Sequence, residues 1–313
     1  MKPLLYFLIA SLFLIQLESC NDSEEPIIAC EDTDPIIQDD TGLCPPKVLS
    51  YHFGVEHLSP RDQVSTLTRL GMDGMMVNIE TNNLSQLQQY IDACEVKSGA
   101  FIIRYIYTSL SLDDANLMET QINTIEEIYK IIEDKDTQLQ VIFSGQKQNP
   151  NAVTTIFRIA DIANSYGKDL IIYPHDENAI ETAEEALNYI ELVNNDNVFL
   201  AVHLCHELAG GNWNRIDEVV ANVAPYIKAV SISGASESEQ ADSSLPLWYW
   251  GIKPLNQGSY DYAPFFQALY DHGYTGPILI HTWGIKNNFN LDPEDYLPES
   301  KDILDNLSEI SCN

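Results

Sequence analysis

Short apolar runs and longer amphipathic runs alternate eight times along the chain from Lys47 onward. The short runs have the length and composition of β-strands, and each is followed by the apolar spacing of an α-helix. This alternation predicts repeated βαβ units, and hence a parallel sheet covered by helices. The predicted strands are Val48–Phe53, Gly74–Ile79, Ala100–Tyr107, Gln138–Phe143, Asp169–Tyr173, Asn197–His203, Tyr226–Ser233 and Pro277–His281.

Eight such units fit within roughly 265 residues, and a closed (β/α)8 barrel, or TIM barrel, needs roughly 250. A glycine-rich nucleotide-binding pattern is absent after the first predicted strand, which disfavours an open, doubly wound sheet. We therefore predict a TIM barrel over residues 47–313. In this fold the chemistry lies just beyond the C-terminal ends of the strands.

The composition argues against one class of partner. With 16 basic and 47 acidic residues, the formal net charge is −31. Proteins that bind nucleic acid present basic surfaces instead, so we expect no nucleic-acid partner. The apolar fraction of 45% is ample for one core. The oligomeric state stays open.

The first 20 residues have the features of a secretion signal. Lys2 provides the positive start and Leu4–Ile15 the apolar core. A small residue followed by Cys20 resembles a bacterial lipobox, which implies a lipid anchor on Cys20; an ordinary signal with an incidental cysteine is the alternative. Residues 21–46 are acidic and proline-containing, as in an extended tether. We expect an extracytoplasmic protein of a Gram-negative bacterium, in the periplasm or at the cell surface, that contacts the membrane through its lipid alone.

Histidines concentrate where the site of a barrel is expected. Of the seven histidines, five lie at the C-terminal ends of predicted strands: His52, His175, His203, His206 and His281. His203 and His206 are three residues apart, so alternation along an extended segment predicts that they point to opposite faces. We predict a site built from these imidazoles.

Short motifs around these histidines carry a resemblance to a known family. They are Tyr173-Pro174-His175, the Asn197-Val198 and Leu204-Cys205-His206 ends of the sixth strand, Pro254–Tyr262 and Gly273–Ile278. In this order they resemble the sugar phosphate isomerase/epimerase superfamily, the xylose isomerase-like TIM barrels. The resemblance implies a divalent cation at the barrel mouth, held by two Glu, an Asp and a His, that binds two oxygens of a sugar.

The chain departs from that ligand pattern. Tyr173 and His203 stand where the family has a Glu and an Asp, and His281 replaces the acidic or amide ligand of the last strand. The resemblance therefore implies a metal site of His175, His206 and His281. Because imidazole favours Zn, Fe, Co or Ni over Mg, we expect a divalent transition metal, with Mn included.

Further side chains are candidates for the same mouth. We predict catalytic roles for His203, Glu177 and Lys253, and sugar contacts for Tyr173, Arg104, Tyr107, Trp250, Glu80 and His52. Aromatic faces stack on sugar rings, and a lysine neutralises a developing enolate. Structural alternatives stay open: a helix cap for His175, a buried counter-ion for Arg104, a solvated acid for Glu80, a core hydrogen bond for His52 and a hydrophobic lid for the tryptophan.

The chemistry that fits such a site is proton abstraction next to a sugar carbonyl, through an enediolate. Returning the proton gives isomerisation or epimerisation. Relatives in the superfamily that act on 3-keto-glycosides imply β-elimination as an alternative, and a surface lipoprotein that binds glycans without turnover is another. The sequence has no basic cluster for a phosphate, so a neutral or oxidised sugar is the expected substrate.

Overall fold

The computed structural model describes residues 46–95, 100–242 and 244–311. Eight parallel strands follow one another in chain order, and the last pairs with the first to close the barrel. The predicted TIM barrel is therefore confirmed. The strands are β1 Val48–Tyr51, β2 Gly74–Asn78, β3 Ile102–Ser111, β4 Gln138–Ser144, β5 Leu170–Ile172, β6 Val198–His203, β7 Ile227–Ile232 and β8 Ile278–Ile280.

Helices follow the strands and form the outer layer. They are α1 Pro60–Arg69, α2 Leu87–Glu95, α3 Ala115–Ile132, α4 Ala152–Ser165, α5 Ala183–Val193, α6 Leu204–Ala209, α7 Ile216–Val223, α8 Glu237–Gln240, α9 Leu247–Trp250, α10 Ala263–Asp271, α11 Ile285–Phe289 and α12 Pro293–Ser311. None of the described helices combines the length and the apolar character needed to cross a bilayer.

Local chemistry fixes where these helices begin and end. The hydroxyl of Thr182 accepts a hydrogen bond from the N–H of Glu185 at 3.3 Å, which caps the start of α5. The same helix ends at Asn194, whose φ of 47° lies in the left-handed region. Helix α1 begins in the same manner, with Ser59 as its cap and Pro60 at its first position.

Apolar side chains form two layers of core. The larger layer fills the space between the sheet and the helices. A smaller layer fills the barrel interior with inward-facing residues of alternate positions, among them Leu49, Tyr105 and Ile171. At the end where the strands begin, the hydroxyl of Tyr105 donates to the carbonyl of Lys228 at 2.8 Å. Tyr105 therefore helps to fill the described barrel interior at that end.

Several predicted boundaries differ from the structure. Strand β3 runs on to Ser111, four residues beyond its predicted end. The sequence predicts a last helix near Pro298–Ser308, but this helix starts at Pro293 and contains Pro298 in its interior. The predicted secretion signal with Cys20, and the tether except for its last residue, lie outside the described residues.

Candidate active site

A cavity of about 200 Å³ opens at the C-terminal mouth of the barrel. We call it the central cavity. Its lining consists of aromatic, imidazole and aliphatic side chains, and among the described residues none of those that line it carries a formal charge at neutral pH. They are Tyr51, Phe53, Tyr107, Ile142, Tyr173, His175, His206, Leu247, Trp248, Ile252, His281 and Trp283. The predicted site residues His175, His206, His281, Tyr173 and Tyr107 are thus brought together here.

His206 is brought over the mouth by a helix that starts directly after β6. Because α6 begins at Leu204, His203 and His206 are related by a helical spacing. Their ring centroids are 5.9 Å apart, so the expectation that they point to opposite faces is wrong.

The hydrogen bonds of His206 determine which of its nitrogens carries the proton. The backbone N–H of Asp176 donates to Nδ1 of His206 at 3.2 Å. A neutral ring that accepts at Nδ1 carries its proton on Nε2. This Nε2 is buried and has no hydrogen-bond partner within the described part of the chain. We therefore assign it as an N–H donor that is free to serve a ligand in the central cavity.

His175 has the opposite arrangement. Its Nδ1 lies 2.8 Å from the carbonyl oxygen of Asp176, and a carbonyl only accepts. The amide of Asn178 donates to that same oxygen at 2.9 Å and lies 2.9 Å from Nδ1 of His175. The amide of Asn178 already has the carbonyl oxygen as its acceptor, whereas an unprotonated Nδ1 would set its lone pair against that carbonyl at 2.8 Å. We therefore assign the proton to Nδ1, which leaves Nε2 with a lone pair. The ring centroids of His175 and His206 are 4.2 Å apart, so a proton acceptor and a proton donor lie side by side.

Burial keeps these imidazoles neutral. It lowers the pKa of His281 to about 3, with a smaller contribution from His175. Burial also lowers the pKa of His206 well below its ordinary value, helped by the nearby rings of His175 and His203. The pKa of His175 is lowered by burial as well. At neutral pH the cavity therefore presents uncharged rings in a poorly hydrated space, where each hydrogen bond to a ligand is strengthened.

His203 lies beneath the central cavity, in the barrel interior. Its ring stacks on Tyr173 with centroids 3.7 Å apart. Its Nδ1 faces the hydroxyls of Ser231 and Tyr51, and its Nε2 lies 3.3 Å from Oε1 of Gln140. Since the hydroxyls of Tyr51 and Tyr173 are 3.0 Å apart, a chain of hydrogen bonds runs from His203 to the two tyrosines that line the cavity.

Two predicted site residues with charged side chains lie away from the cavity. Arg104 is near the start of β3 and pairs with Asp136 at the opposite end of the barrel. Lys253 pairs with Glu239 at 2.7 Å, and its ammonium lies over the ring of Phe289, 4.7 Å from its centroid. Neither one lines the central cavity.

Three other predicted residues also lie elsewhere. Glu80 accepts hydrogen bonds from the N–H of Ser109 at 3.1 Å and the hydroxyl of Thr108 at 3.2 Å, and so ties β2 to β3. Trp250 is buried, and its ring packs on Trp213 with centroids 5.8 Å apart. Glu177 occupies a left-handed turn, with φ of 61°, and is not among the lining residues.

Sequence reasoning missed several residues that line the cavity. Trp248 and Trp283 are each 42% exposed, and their rings contact each other edge to face with centroids 5.7 Å apart. Tyr51 and Phe53 extend from β1 into the cavity. The alternation along β1 could have identified Tyr51 and Phe53, because it places them on the face opposite to His52. His52 instead lines a neighbouring cavity.

The donor set does not fit the cation that the resemblance implies. No three His, Cys, Asp or Glu side chains in the described ranges are grouped so that they could hold a metal ion. Hard cations prefer carboxylate oxygens, and no described carboxylate lines the cavity. For Nε2 of His206 to bind a metal, its proton would have to move to Nδ1, where it would face the N–H of Asp176. A metal at His175, His206 and His281 therefore stays a prediction, and the donors do not support it.

Comparisons with known proteins agree with the fold. The family model described as "Xylose isomerase-like TIM barrel" matches residues 64–307. No curated protein sequence matches the chain at a significant level.

Solved structures resemble the chain over most of its length. D-allulose 3-epimerase from Methylomonas sp. is 16% identical, with a TM-score of 0.64 over 84% of this chain and 98% of that one. The 3-keto-D-glucoside 4-epimerase of E. coli is 13% identical, with a TM-score of 0.62 over 83% and 98%. The IOLI protein, solved with a zinc atom, is 16% identical, with a TM-score of 0.66 over 85% and 99%. At these identities the likeness supports the fold alone.

Proposed function

Because the chain belongs to the xylose isomerase-like TIM barrel family, we propose that it is a sugar isomerase or epimerase that moves a proton next to the carbonyl of a neutral or oxidised sugar. The observation that carries this proposal is the pair of neutral imidazoles with opposite tautomers, His175 and His206, 4.2 Å apart between ring centroids. The epimerases among its structural neighbours give it further support.

The two imidazoles have complementary roles in the proposed reaction. The sugar carbonyl oxygen accepts a hydrogen bond from Nε2–H of His206, and Nε2 of His175 removes the proton from the adjacent carbon. A neutral imidazole that donates to a carbonyl is an established electrophile for enolisation. General-base catalysis contributes about 10²–10⁴-fold, and one donor to a developing oxyanion about 10²–10³-fold.

Return of the proton completes the reaction. In an isomerisation His175 delivers it to the former carbonyl carbon, while the proton of the adjacent hydroxyl passes to the former carbonyl oxygen and a new carbonyl forms. In an epimerisation His175 keeps the abstracted proton and a second group delivers another one to the opposite face; the paired hydroxyls of Tyr51 and Tyr173 are proton donors that line the same cavity. Nε2 of His203 faces Oε1 of Gln140 and so carries the proton, which leaves Nδ1 to accept from the hydroxyl of Tyr51 at 3.3 Å and to hold that tyrosine in place from below.

The lining favours an uncharged sugar. A phosphate is bound by Lys, Arg or backbone N–H groups, and no described Lys or Arg lines the central cavity. The exposed ring faces of Trp248 and Trp283 offer surfaces on which the apolar face of a sugar ring stacks. A neutral or oxidised sugar is therefore the better substrate than a sugar phosphate. Because the donor set does not fit a cation, no step of this mechanism depends on one.

A second candidate is favoured by His281. Its buried Nδ1 has no hydrogen-bond partner among the described residues, and it lines the same cavity. Beta-elimination from a keto-glycoside begins with the same proton abstraction, and then needs an acid to protonate the departing oxygen. We assign that role to Nδ1 of His281, in the tautomer that carries its proton there, so the site also suits a lyase.

The test is deuterium uptake in D2O, followed by NMR with a panel of aldoses, ketoses and 3-keto-glycosides. For at least one sugar of the panel, we expect deuterium to replace hydrogen at the carbon next to a carbonyl. The product, whether an epimer, an isomer or an elimination product, then identifies the reaction. His175→Gln lowers the rate by at least about 100-fold, whereas exposed His272→Gln does not change it. Saturable sugar binding without any exchange would instead establish a non-catalytic glycan-binding protein.

We also propose that Cys20 carries a lipid anchor and that the protein is extracytoplasmic. The proposal rests on the sequence of residues 1–46 alone. Metabolic labelling with a radioactive fatty acid tests it: the wild-type protein incorporates label, and Cys20→Ala does not. Equal labelling of both proteins, or of neither, would contradict the anchor.

A further inference from the structure

A second cavity, of about 280 Å³, lies beside the central one. We call it the side cavity. Phe53 and Trp283 line both cavities, so the two share a wall. The side cavity has a different chemical character, because most of its other lining residues are polar or charged: His52, Glu56, His57, Asn78, Lys286, Asn287 and Asp292 are among them.

Two chain segments build both cavities. After β1, Tyr51 lines the central cavity and His52 the side cavity. After β8, His281 lines the central cavity and Thr282 the side cavity. Successive side chains of an extended segment point to opposite sides. The same stretches of backbone therefore fix the spacing between the two cavities, as a site for one ligand that spans both would require.

His52 offers an unused hydrogen-bond donor in the side cavity. It is only 8% exposed, and its Nε2 accepts from the N–H of Asn78 at 3.4 Å. Burial lowers the pKa of His52 to about 4, so the ring is neutral and its proton lies on Nδ1. This buried Nδ1 has no hydrogen-bond partner in the described part of the chain. A buried donor without a partner costs about 1–3 kcal/mol, and a ligand oxygen would remove that cost.

The size of the central cavity limits it to one ring. Its volume of about 200 Å³ is below the roughly 300–1,000 Å³ of sites for drug-sized ligands. A second hydroxyl-bearing unit linked to that ring must lie outside it, and the side cavity is the polar space that borders the central cavity at Phe53 and Trp283.

We propose that the side cavity binds the second unit of a glycoside whose first ring occupies the central cavity. The inference rests on the proposed sugar chemistry and makes a disaccharide, not a monosaccharide, the substrate class. Hydroxyls of the second unit accept from His52, donate to Glu56 and form a hydrogen bond with the side-chain amide of Asn287, all of which line the side cavity. Lys286 is paired with Asp292 at 2.8 Å, which leaves Glu56 as the unpaired formal charge among the described lining residues. An acidic second unit is therefore disfavoured.

The experiment compares affinities of paired probes by isothermal titration calorimetry. Methyl α- and β-3-keto-glucopyranosides fill only the central cavity. Maltose and cellobiose oxidised at C3 of the non-reducing ring also reach the side cavity. We expect at least one disaccharide to bind about tenfold more tightly than its methyl glycoside, as one or two added hydrogen bonds provide.

Asn287→Leu tests the location. Asn287 is exposed and lines the side cavity, so its replacement removes a polar group without disturbing the core. We expect the disaccharide preference to fall about five- to tenfold. The matched control is Asn188→Leu, an exposed asparagine on α5 that lines neither cavity, and it keeps the full preference.

Two outcomes overturn the inference: equal affinity for disaccharides and methyl glycosides, or an equal loss of preference in both variants. The proposed function is judged separately by deuterium uptake in the methyl glycosides, which does not involve the side cavity. Uptake without a disaccharide preference rejects the second site alone. A preference without uptake in any probe rejects the enzyme and keeps the two-unit binding site.

Discussion

The stability of this protein should fall steeply as the pH drops below neutrality. Burial lowers the pKa of His281 to about 3 and that of His52 to about 4, and lowers the pKa of His203 and His206 well below the ordinary value. The unfolded chain binds protons on these four residues below about pH 6.5, but the native protein does not. Unfolding therefore takes up four protons in this range, and acid favours the unfolded state.

One buried carboxyl acts in the opposite direction. Glu207 is fully buried, and burial raises its pKa to about 7. Between the ordinary pKa of glutamate and about pH 7, the native protein holds a proton on Glu207 that the unfolded chain releases. The contribution of Glu207 to the free energy of unfolding therefore falls as the pH rises. Three protons of net uptake remain. At about 1.36 kcal/mol per proton and pH unit, the free energy of unfolding should fall by about 4 kcal/mol from pH 6 to pH 5.

Urea denaturation at intervals from about pH 5 to pH 7 measures this slope. His281→Gln removes one of the four protons and should reduce the slope by about 1.4 kcal/mol per pH unit. His272→Gln, at an exposed position outside the site, controls for the substitution. A wild-type slope below about 1.36 kcal/mol per pH unit, the value for one proton, would show that the cavity imidazoles are hydrated and charged. It would contradict the neutral site described above.

Three other measurements follow from the structure. His206→Leu should lower proton exchange by about 10²–10³-fold, and His206→Gln, which keeps an N–H donor, should recover part of it; equal losses would exclude a donor role. Trp248→Ala should weaken sugar binding about two- to tenfold by calorimetry, because a stacking surface is lost, and unchanged affinity would exclude stacking there. Protein purified without a histidine tag should contain less than stoichiometric metal by mass spectrometry, and a chelator should leave deuterium uptake unchanged; a stoichiometric metal lost in His206→Leu would contradict the assigned tautomer.

The barrel could be predicted because the sequence patterns that specify its strands and helices are local. Each strand and helix has its own period in the sequence, and eight repeats leave few ways to close a sheet. The concentration of histidines at strand ends predicted the mouth for the same reason. Of the predicted metal ligands, all three line the central cavity, although their roles stay predictions.

The details of the site depend on the face of its element on which each side chain lies and on its position along the barrel axis. The sequence pattern leaves both open. Arg104 was predicted to line the mouth, but β3 extends four residues beyond its predicted end, so Arg104 lies near the start of the strand and at the opposite end of the barrel. The direction of the His206 side chain depended on whether a helix or an extended segment follows β6. Lys253 has a partner 14 residues earlier in the chain, Glu239. Only the three-dimensional packing shows that pair.

The proposed function requires that His175 and His206 are neutral and carry their protons on different nitrogens. Long-range proton–nitrogen NMR of protein with 15N-labelled histidine measures the tautomer of each ring directly, with His175→Gln and His206→Gln for assignment. We expect a protonated Nδ1 for His175 and a protonated Nε2 for His206 at neutral pH. Two rings with the same tautomer, or a doubly protonated ring, would contradict it.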